Sequence, residues 1–230
     1  MLSLDDLALK YGSDKASIGH NYTPLYQDLF TPIKDTATNI LEIGVQHGAS
    51  MKMWKDWFPN AKIHGIDNGE SLTYTAEDEP RIRLYDIDQG DFEELEKFTK
   101  DQTNFFDLII DDGSHIALHQ TTSLVTLWPT LKYGGFYIVE DTHTDYCYSY
   151  SRSGRLMDFL HRRVDDINYN GKDFGLGHEG NPVANWKAIA EPNIFEASLH
   201  SITFLKSLAV LVKASISPDG YVRHIANVEK

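Results

Sequence analysis

Short apolar runs alternate with amphipathic segments over the first 140 residues of this 230-residue chain. Each run has the length and apolar content of a buried strand, and the segments between them carry apolar residues at helical spacing. This β-α-β-α-β order predicts a parallel sheet with helices on both faces. The predicted strands are residues 39–44, 61–66, 82–85, 106–110 and 136–141.

The C-terminal part of the pattern predicts a different pairing of strands. Residues 198–205 and 208–213 are separated only by Lys206 and Ser207, which is typical of an antiparallel hairpin. We expect this hairpin at the edge of the sheet, which gives an α/β fold with a mostly parallel, seven-stranded sheet. The predicted helices are residues 4–10, 25–30, 49–57, 92–100, 117–131 and 154–167.

Two stretches differ from the alternating pattern. Residues 1–37 precede the first strand, and we expect them to form a helical cap on a single domain of residues 1–230. Residues 142–195 are rich in Tyr, Asn, Gly and His, and residues 171–182 contain four glycines. A long irregular segment of this kind predicts a lid or substrate loop, and a plain surface insertion is the alternative.

Composition and charge exclude several classes of function. The formal net charge is −13 and there is no block of basic residues, so nucleic acid is not an expected partner. No run of 18 apolar residues is present, which argues against a membrane span. The chain starts without a basic region and apolar core, so no secretory signal is predicted. The single Cys147 fits a reducing cytoplasm.

Carboxylates follow the fourth and fifth predicted strands. Asp112 comes after the fourth strand, and Glu140 and Asp141 close the fifth. If these strands are neighbours, about 4.8 Å apart, the three carboxylates converge. Like charges that close require a cation or a proton, and oxygen ligands select Mg²⁺, Mn²⁺ or Ca²⁺. The alternative is a set of caps at helix N-termini.

His115 lies three residues beyond Asp112 and therefore beside this carboxylate cluster. Because histidine ordinarily titrates near neutral pH, we predict it as a general base.

A second group of polar residues follows the first three strands. Gly44 follows the first strand, in a turn that lacks the G-x-G-x-x-G pattern of dinucleotide sites. Asp67 at the end of the second strand suits a ribose diol, and Asp88 with Gln89 suits an adenine edge. These features favour an adenosyl ligand without phosphates, such as S-adenosylmethionine. Glu42 is either part of this site or a buried hydrogen-bonding residue.

Six segments also carry a resemblance to a known family. They are Tyr11-Gly-Ser-Asp-Lys15, His20-Asn-Tyr-Thr-Pro24, Leu41-Glu-Ile-Gly44, Gly65-Ile-Asp67, Ile110-Asp-Asp-Gly-Ser-His115 and Val139-Glu-Asp-Thr-His143. On these segments the chain resembles the Rossmann-like class I S-adenosylmethionine-dependent methyltransferases. More closely, it is similar to the metal-dependent sugar O-methyltransferases of macrolide tailoring.

The resemblance implies a reaction and a set of site residues. It implies Asp112, Glu140 and Asp141 as ligands of Mg²⁺ or Mn²⁺, and His115 as the base that activates a sugar hydroxyl. The sugar is expected in a glycoside, a nucleotide sugar or a surface polysaccharide. The expected S-adenosylmethionine contacts are Lys15, Tyr22, Glu42, Gly44, Asp67, Asp88, Gln89 and Asp111. The resemblance leaves a homo-oligomer open.

Three other interpretations remain at this point. The same metal chemistry suits a catechol or another small-molecule diol. A protein that binds an adenosyl ligand without chemistry is disfavoured, because all three carboxylates and His115 are present. An iron-dependent hydroxylase needs two histidines and a carboxylate, of which His115 or His119 with Asp112 supply a part.

Overall fold

The computed structural model describes residues 2–69, 72–168 and 193–214. Within these residues, seven strands form one sheet in the order β3-β2-β1-β4-β5-β7-β6. The strands are β1 (Asn39–Ile43), β2 (Lys62–Asp67), β3 (Ile82–Asp86), β4 (Phe106–Asp111), β5 (Leu131–Val139), β6 (Leu199–Leu205) and β7 (Leu208–Lys213). Strands β1 to β5 are parallel, and β7 pairs antiparallel with both β5 and β6. The predicted sheet and its C-terminal hairpin are confirmed.

Helices cover both faces of this sheet. They are α1 (Leu4–Tyr11), α2 (Thr23–Phe30), α3 (Ala49–Trp57), α4 (Phe92–Thr99), α5 (Ala117–Leu127) and α6 (Leu156–Asn168). Helix α1 begins with a capping box, in which Ser3 and Asp6 satisfy each other's backbone N–H groups. It ends at Gly12, which adopts the left-handed conformation.

The boundary between α5 and β5 differs from the prediction. Helix α5 ends at Leu127, and β5 begins at Leu131, several residues before the predicted start at 136. Pro129 lies in a short 3₁₀ turn between them and ends the helix, because proline donates no backbone hydrogen bond. Gly134 and Gly135, predicted to turn the chain, instead lie inside the strand.

The core consists of two layers, one on each face of the sheet. On one face, Ile40 and Leu108 pack with residues of α1, α2 and α3. On the other face, Leu41 and Ile109 pack with residues of α4, α5 and α6. Consecutive residues of a strand point to opposite faces, so each strand contributes to both layers. This alternation also decides where the polar residues beyond the strand ends point.

The segment 142–195, predicted as a lid or substrate loop, is described only in part. It contains a 3₁₀ turn at Thr142–Tyr146 and the helix α6, which lies close to the predicted 154–167. The glycine-rich stretch 171–182 lies outside the described residues. Among the helices that the structure describes, none combines the length and apolarity needed to cross a bilayer.

Candidate functional site

Three neighbouring strands bring carboxylates to the same face of the sheet. Glu42 lies two residues beyond Ile40 in β1, Asp112 two beyond Ile110 in β4, and Glu140 two beyond Ile138 in β5. Because side chains alternate along a strand, all three continue the face that is covered by α1, α2 and α3. The order β1-β4-β5 makes these strands adjacent, and the carboxylates therefore converge.

Lys15 fills the space between these three carboxylates. The loop after α1 carries its side chain into the core, where it is 1% exposed. Its Nζ atom donates hydrogen bonds to Asp112 and, at 3.0 Å, to Glu140 Oε2. It lies 3.5 Å from Glu42 Oε1. The predicted contact of Lys15 with S-adenosylmethionine stays a prediction, and in the structure the side chain lies at the carboxylates.

Burial and charge shift the pKa values within this group in opposing ways. Burial disfavours the charged form of Lys15, but the attraction of Asp112, Glu140 and Glu42 outweighs it and holds the pKa well above its usual value. Burial also raises the pKa of Glu42 to about 7, although Lys15 opposes this shift. Burial likewise raises the pKa values of Asp112 and Glu140, and Lys15 again opposes the shift.

A second group of ligating atoms lies beside the first. Single ligand atoms of Asp112, His115 and Asp141 all lie within 4.8 Å of one another. His115 Nε2 is 3.8 Å from Asp141 Oδ2, and the Tyr22 hydroxyl donates to Asp141 Oδ1 at 2.7 Å. Glu140, the third predicted metal ligand, is also bound by the Tyr26 hydroxyl at 2.7 Å. The predicted ligands are thus neighbours, and Glu140 has protein partners at both oxygens.

A cavity of about 200 Å³ lies at the carboxyl ends of β1, β2 and β4. Four of the predicted cofactor contacts line it: Gly44, Asp67, Asp88 and Gln89. Asp112 lines it as well, so this residue belongs both to the cavity and to the carboxylates around Lys15. The cavity lies where open α/β sheets bind their ligands.

Two residues shape this cavity through the backbone. Asp67 Oδ2 accepts hydrogen bonds from the backbone N–H groups of Val45 and Gln46, both at 2.8 Å, and so holds the turn after β1. Gly44 has φ +92°, and a Cβ atom there would lie 2.0 Å from the Asp112 carbonyl oxygen. Only glycine therefore allows the turn after β1 to approach the end of β4 this closely.

Asp111 lies one residue before Asp112 and points to the opposite face of the sheet. Its side chain is fully buried. It accepts hydrogen bonds from Gln89 Nε2 and the Ser123 hydroxyl, both at 2.6 Å. Burial raises the pKa of this carboxyl group. Asp111 does not line the cavity but binds Gln89, which does, and its predicted contact with the cofactor stays a prediction. Glu42, Lys15 and Tyr22 likewise lie outside the cavity lining.

A second cavity lies near Asp141, since Tyr22 from its lining donates a hydrogen bond to that carboxylate. It has a volume of about 530 Å³ and lies between residues 19–25 and the β6–β7 turn at 205–208. His20 Nδ1 is 3.6 Å from Asp141 Oδ1. His143 Nδ1 is 2.7 Å from the Ser207 hydroxyl. Sequence reasoning assigned no role to His20 or Ser207, although His20 belongs to one of the segments that carried the resemblance.

Strained backbone is concentrated around these two cavities. Seven described residues other than glycine have positive φ, and five of them border the site. These five are Asn21, Gln46, His115, Asp141 and Ser207. Such conformations cost energy and persist where the surroundings enforce them, most often at functional sites. The strain therefore marks the same region as the carboxylates.

Comparisons with known proteins identify relatives of the chain. No protein-family model matches the chain. The chain is 33% identical over 226 residues to 8-demethyl-8-(2-methoxy-α-L-rhamnosyl)-tetracenomycin-C 3′-O-methyltransferase of Streptomyces olivaceus. That alignment covers 91% of this chain and 53% of the relative. It is 37% identical over 150 residues to mycinamicin VI 2″-O-methyltransferase of Micromonospora griseorubida, covering 62% and 37% of the two chains.

A solved structure matches the whole architecture. The MycE methyltransferase from the mycinamycin biosynthetic pathway, in complex with Mg, SAH and mycinamycin VI, superposes with a TM-score of 0.77 at 28% identity. The match covers 94% of this chain and 55% of that one. The chain spans about half the length of the curated relatives it matches. It has the class I methyltransferase fold and is a relative of the antibiotic sugar O-methyltransferases.

Proposed function

We propose that this protein is a metal-dependent O-methyltransferase that transfers the methyl group of S-adenosylmethionine to a sugar hydroxyl. One observation carries the proposal. Asp112 lines the cavity that suits an adenosyl ligand and also belongs to the group of ligating atoms with His115 and Asp141. A methyl donor in the cavity and a hydroxyl at that group would therefore meet within one small site.

The first cavity fits the donor. Its glycine turn lets a ligand approach the backbone closely, and the carboxylate of Asp67 suits a ribose diol. Asp88 and Gln89 lie on the same wall and suit the adenine edge. The relative of known structure was solved with SAH, the product that S-adenosylmethionine leaves after methyl transfer.

The carboxylates of Asp112, Glu140 and Asp141 fit a hard divalent cation. Asp112 and Asp141 offer ligand atoms within 4.8 Å of each other, and Glu140 is the residue next to Asp141. Carboxylate oxygens are the ligands that Mg²⁺ and Mn²⁺ prefer. The relative of known structure contains Mg. The group offers one histidine and two carboxylates, whereas an iron hydroxylase needs two histidines and one carboxylate, which favours the magnesium interpretation.

His115 has the position required of the base. When bound, the cation lowers the pKa of an acceptor hydroxyl and S-adenosylmethionine supplies an electrophilic methyl group. His115 Nε2 lies 3.8 Å from Asp141 Oδ2, so it is placed to accept the proton of a hydroxyl held beside that carboxylate. The deprotonated oxygen would then bond to the methyl carbon as the bond from that carbon to sulfur breaks.

The second cavity is the proposed acceptor site. Its volume lies in the range of small-molecule sites, and two of its lining residues, His20 and Tyr22, lie within 3.6 Å of Asp141. Leu25 and Leu208 give it apolar walls, while His20, Asn21 and Ser207 supply hydrogen-bonding groups that suit a sugar. The relatives act on sugars attached to tetracenomycin and mycinamicin. We therefore propose a glycoside as the acceptor, with residues 142–195 as a lid and the reducing cytoplasm as the compartment.

Two measurements test the function. Calorimetric titration of S-adenosylmethionine, with and without Mg²⁺, is expected to give micromolar binding in the first cavity. Methyl transfer from labelled donor is then measured on rhamnosyl tetracenomycin, mycinamicin VI, nucleotide sugars and catechol. Transfer to a glycoside that EDTA abolishes and Mg²⁺ restores supports the proposal. Transfer to catechol alone would replace the sugar by another diol, and the absence of donor binding would overturn the methyltransferase assignment.

A further inference from the structure

The ammonium of Lys15 has an unusual position for a lysine near a proposed metal site. It donates hydrogen bonds to Asp112 and Glu140, which are two of the three proposed metal ligands. It is 1% exposed, and Glu140 and Glu42 are also buried. An isolated buried ammonium is costly, so this lysine is held by the carboxylates around it.

The surrounding charges explain why a lysine is tolerated there. Glu42, Asp112, Glu140 and Asp141 are four carboxylates within one small region, and among the described residues Lys15 is the lysine in contact with three of them. Without a cation the carboxylates would repel one another unless they took up protons. One ammonium offsets part of this repulsion, because it lies against three of the four carboxylates.

We infer that Lys15 is a built-in counter-cation of the metal site, which keeps the carboxylates assembled without metal and weakens the binding of a divalent ion. This inference rests on the proposed function, because it takes Asp112 and Glu140 as metal ligands. The two effects have one cause. The ammonium attracts the carboxylates and repels any other cation bound to them.

The architecture supports a dedicated role. Lys15 lies in the loop between α1 and α2, and it contacts Asp112 97 residues further along the chain. The same part of the chain supplies Tyr22 and Tyr26, whose hydroxyls donate to Asp141 and Glu140. The N-terminal residues therefore hold the metal-facing carboxylates from one side, and Lys15 is the charged member of that set.

The substitution Lys15→Met tests the inference, because methionine keeps the length of the side chain and removes the charge. Binding of Mn²⁺, followed by electron paramagnetic resonance, is expected to become about 10-fold tighter. In EDTA the melting temperature is expected to fall by about 10 °C, since a buried charge pair is broken, and saturating Mg²⁺ is expected to restore most of it. Both readouts are independent of turnover.

Lys10→Met is the matched control. Lys10 is an exposed lysine of α1 that pairs with Asp56, away from the site. The Lys10→Met variant is expected to change neither the Mn²⁺ affinity nor the effect of Mg²⁺ on the melting temperature. If Lys15→Met does not fold, the double substitution Lys15→Met with Glu42→Gln removes one charge of each sign and is expected to bind Mn²⁺ more tightly than the wild type.

The outcomes separate the inference from the function. Wild-type protein that binds Mn²⁺, with equal or weaker binding in Lys15→Met and in the double variant, would overturn the counter-cation role and leave the metal site intact. Absence of Mn²⁺ binding in all proteins would instead refute the metal-dependent function itself.

Discussion

Gly44→Ala tests the close contact between the turn after β1 and the backbone of Asp112, on which both the first cavity and the carboxylates depend. An alanine Cβ at this position would lie 2.0 Å from the Asp112 carbonyl oxygen and 2.6 Å from its carbonyl carbon, and these backbone atoms have little freedom to move. The positive φ of Gly44 costs an L residue about 1–2 kcal/mol. Overpacking against fixed backbone adds about 1–3 kcal/mol. We therefore expect a loss of about 2–5 kcal/mol in the free energy of unfolding.

Gly12→Ala is the control for this experiment. Gly12 also has a positive φ, at +71°, but a Cβ there meets nothing within 4 Å. It is expected to lose only the conformational part, about 1–2 kcal/mol. Urea unfolding of both variants measures the difference, and calorimetry measures donor affinity. Donor affinity is expected to fall in Gly44→Ala alone. Equal destabilisation of the two variants, with donor binding intact in both, would refute the steric argument.

Three further predictions address the base, the donor site and the core. His115→Ala is expected to lower turnover about 10²- to 10⁴-fold in steady-state assays and to leave donor affinity nearly unchanged; unchanged turnover would remove it as the base. Asp67→Ala is expected to weaken donor binding by calorimetry without changing Mn²⁺ affinity, and equal donor affinity would contradict the ribose assignment. Burial lowers the pKa of His64 to about 4 in the folded protein. As the pH falls below 6.5, this histidine therefore takes up a proton in the unfolded state before it does so in the folded state. Stability should therefore drop by about 3 kcal/mol between pH 6.5 and 4, and His64→Phe should remove that part in urea titrations.

The sheet was predictable because each strand carries its own local signal. The apolar runs, the carboxylates that follow them and the two-residue link at Lys206 and Ser207 are all short-range features. Adjacency of β4 and β5 was an assumption, and the structure confirms it. The start of β5 was misplaced because a glycine pair usually marks a turn, whereas here the strand passes through Gly134 and Gly135.

The role of Lys15 was not predictable from local sequence. Its contacts join a loop near the N-terminus to Asp112 and Glu140, which follow 97 and 125 residues later. No periodicity links such distant positions, and the identity of the partner depends on how the loop after α1 folds back. The second cavity was missed for the same reason, since its walls come from residues 19–25 and 205–208.

The alternation of side chains at the end of β4 gives Asp111 a structural role and Asp112 the proposed functional role. Asp111 and Asp112 are chemically identical neighbours, but alternation sends Asp111 toward α5 and Asp112 toward Lys15. On the α5 side, hydroxyl and amide groups fully satisfy Asp111, and it is left to support Gln89. On the other side, a single ammonium is shared between several carboxylates. A shift of β4 by one residue would exchange the two roles, so the strand register is itself a determinant of the site.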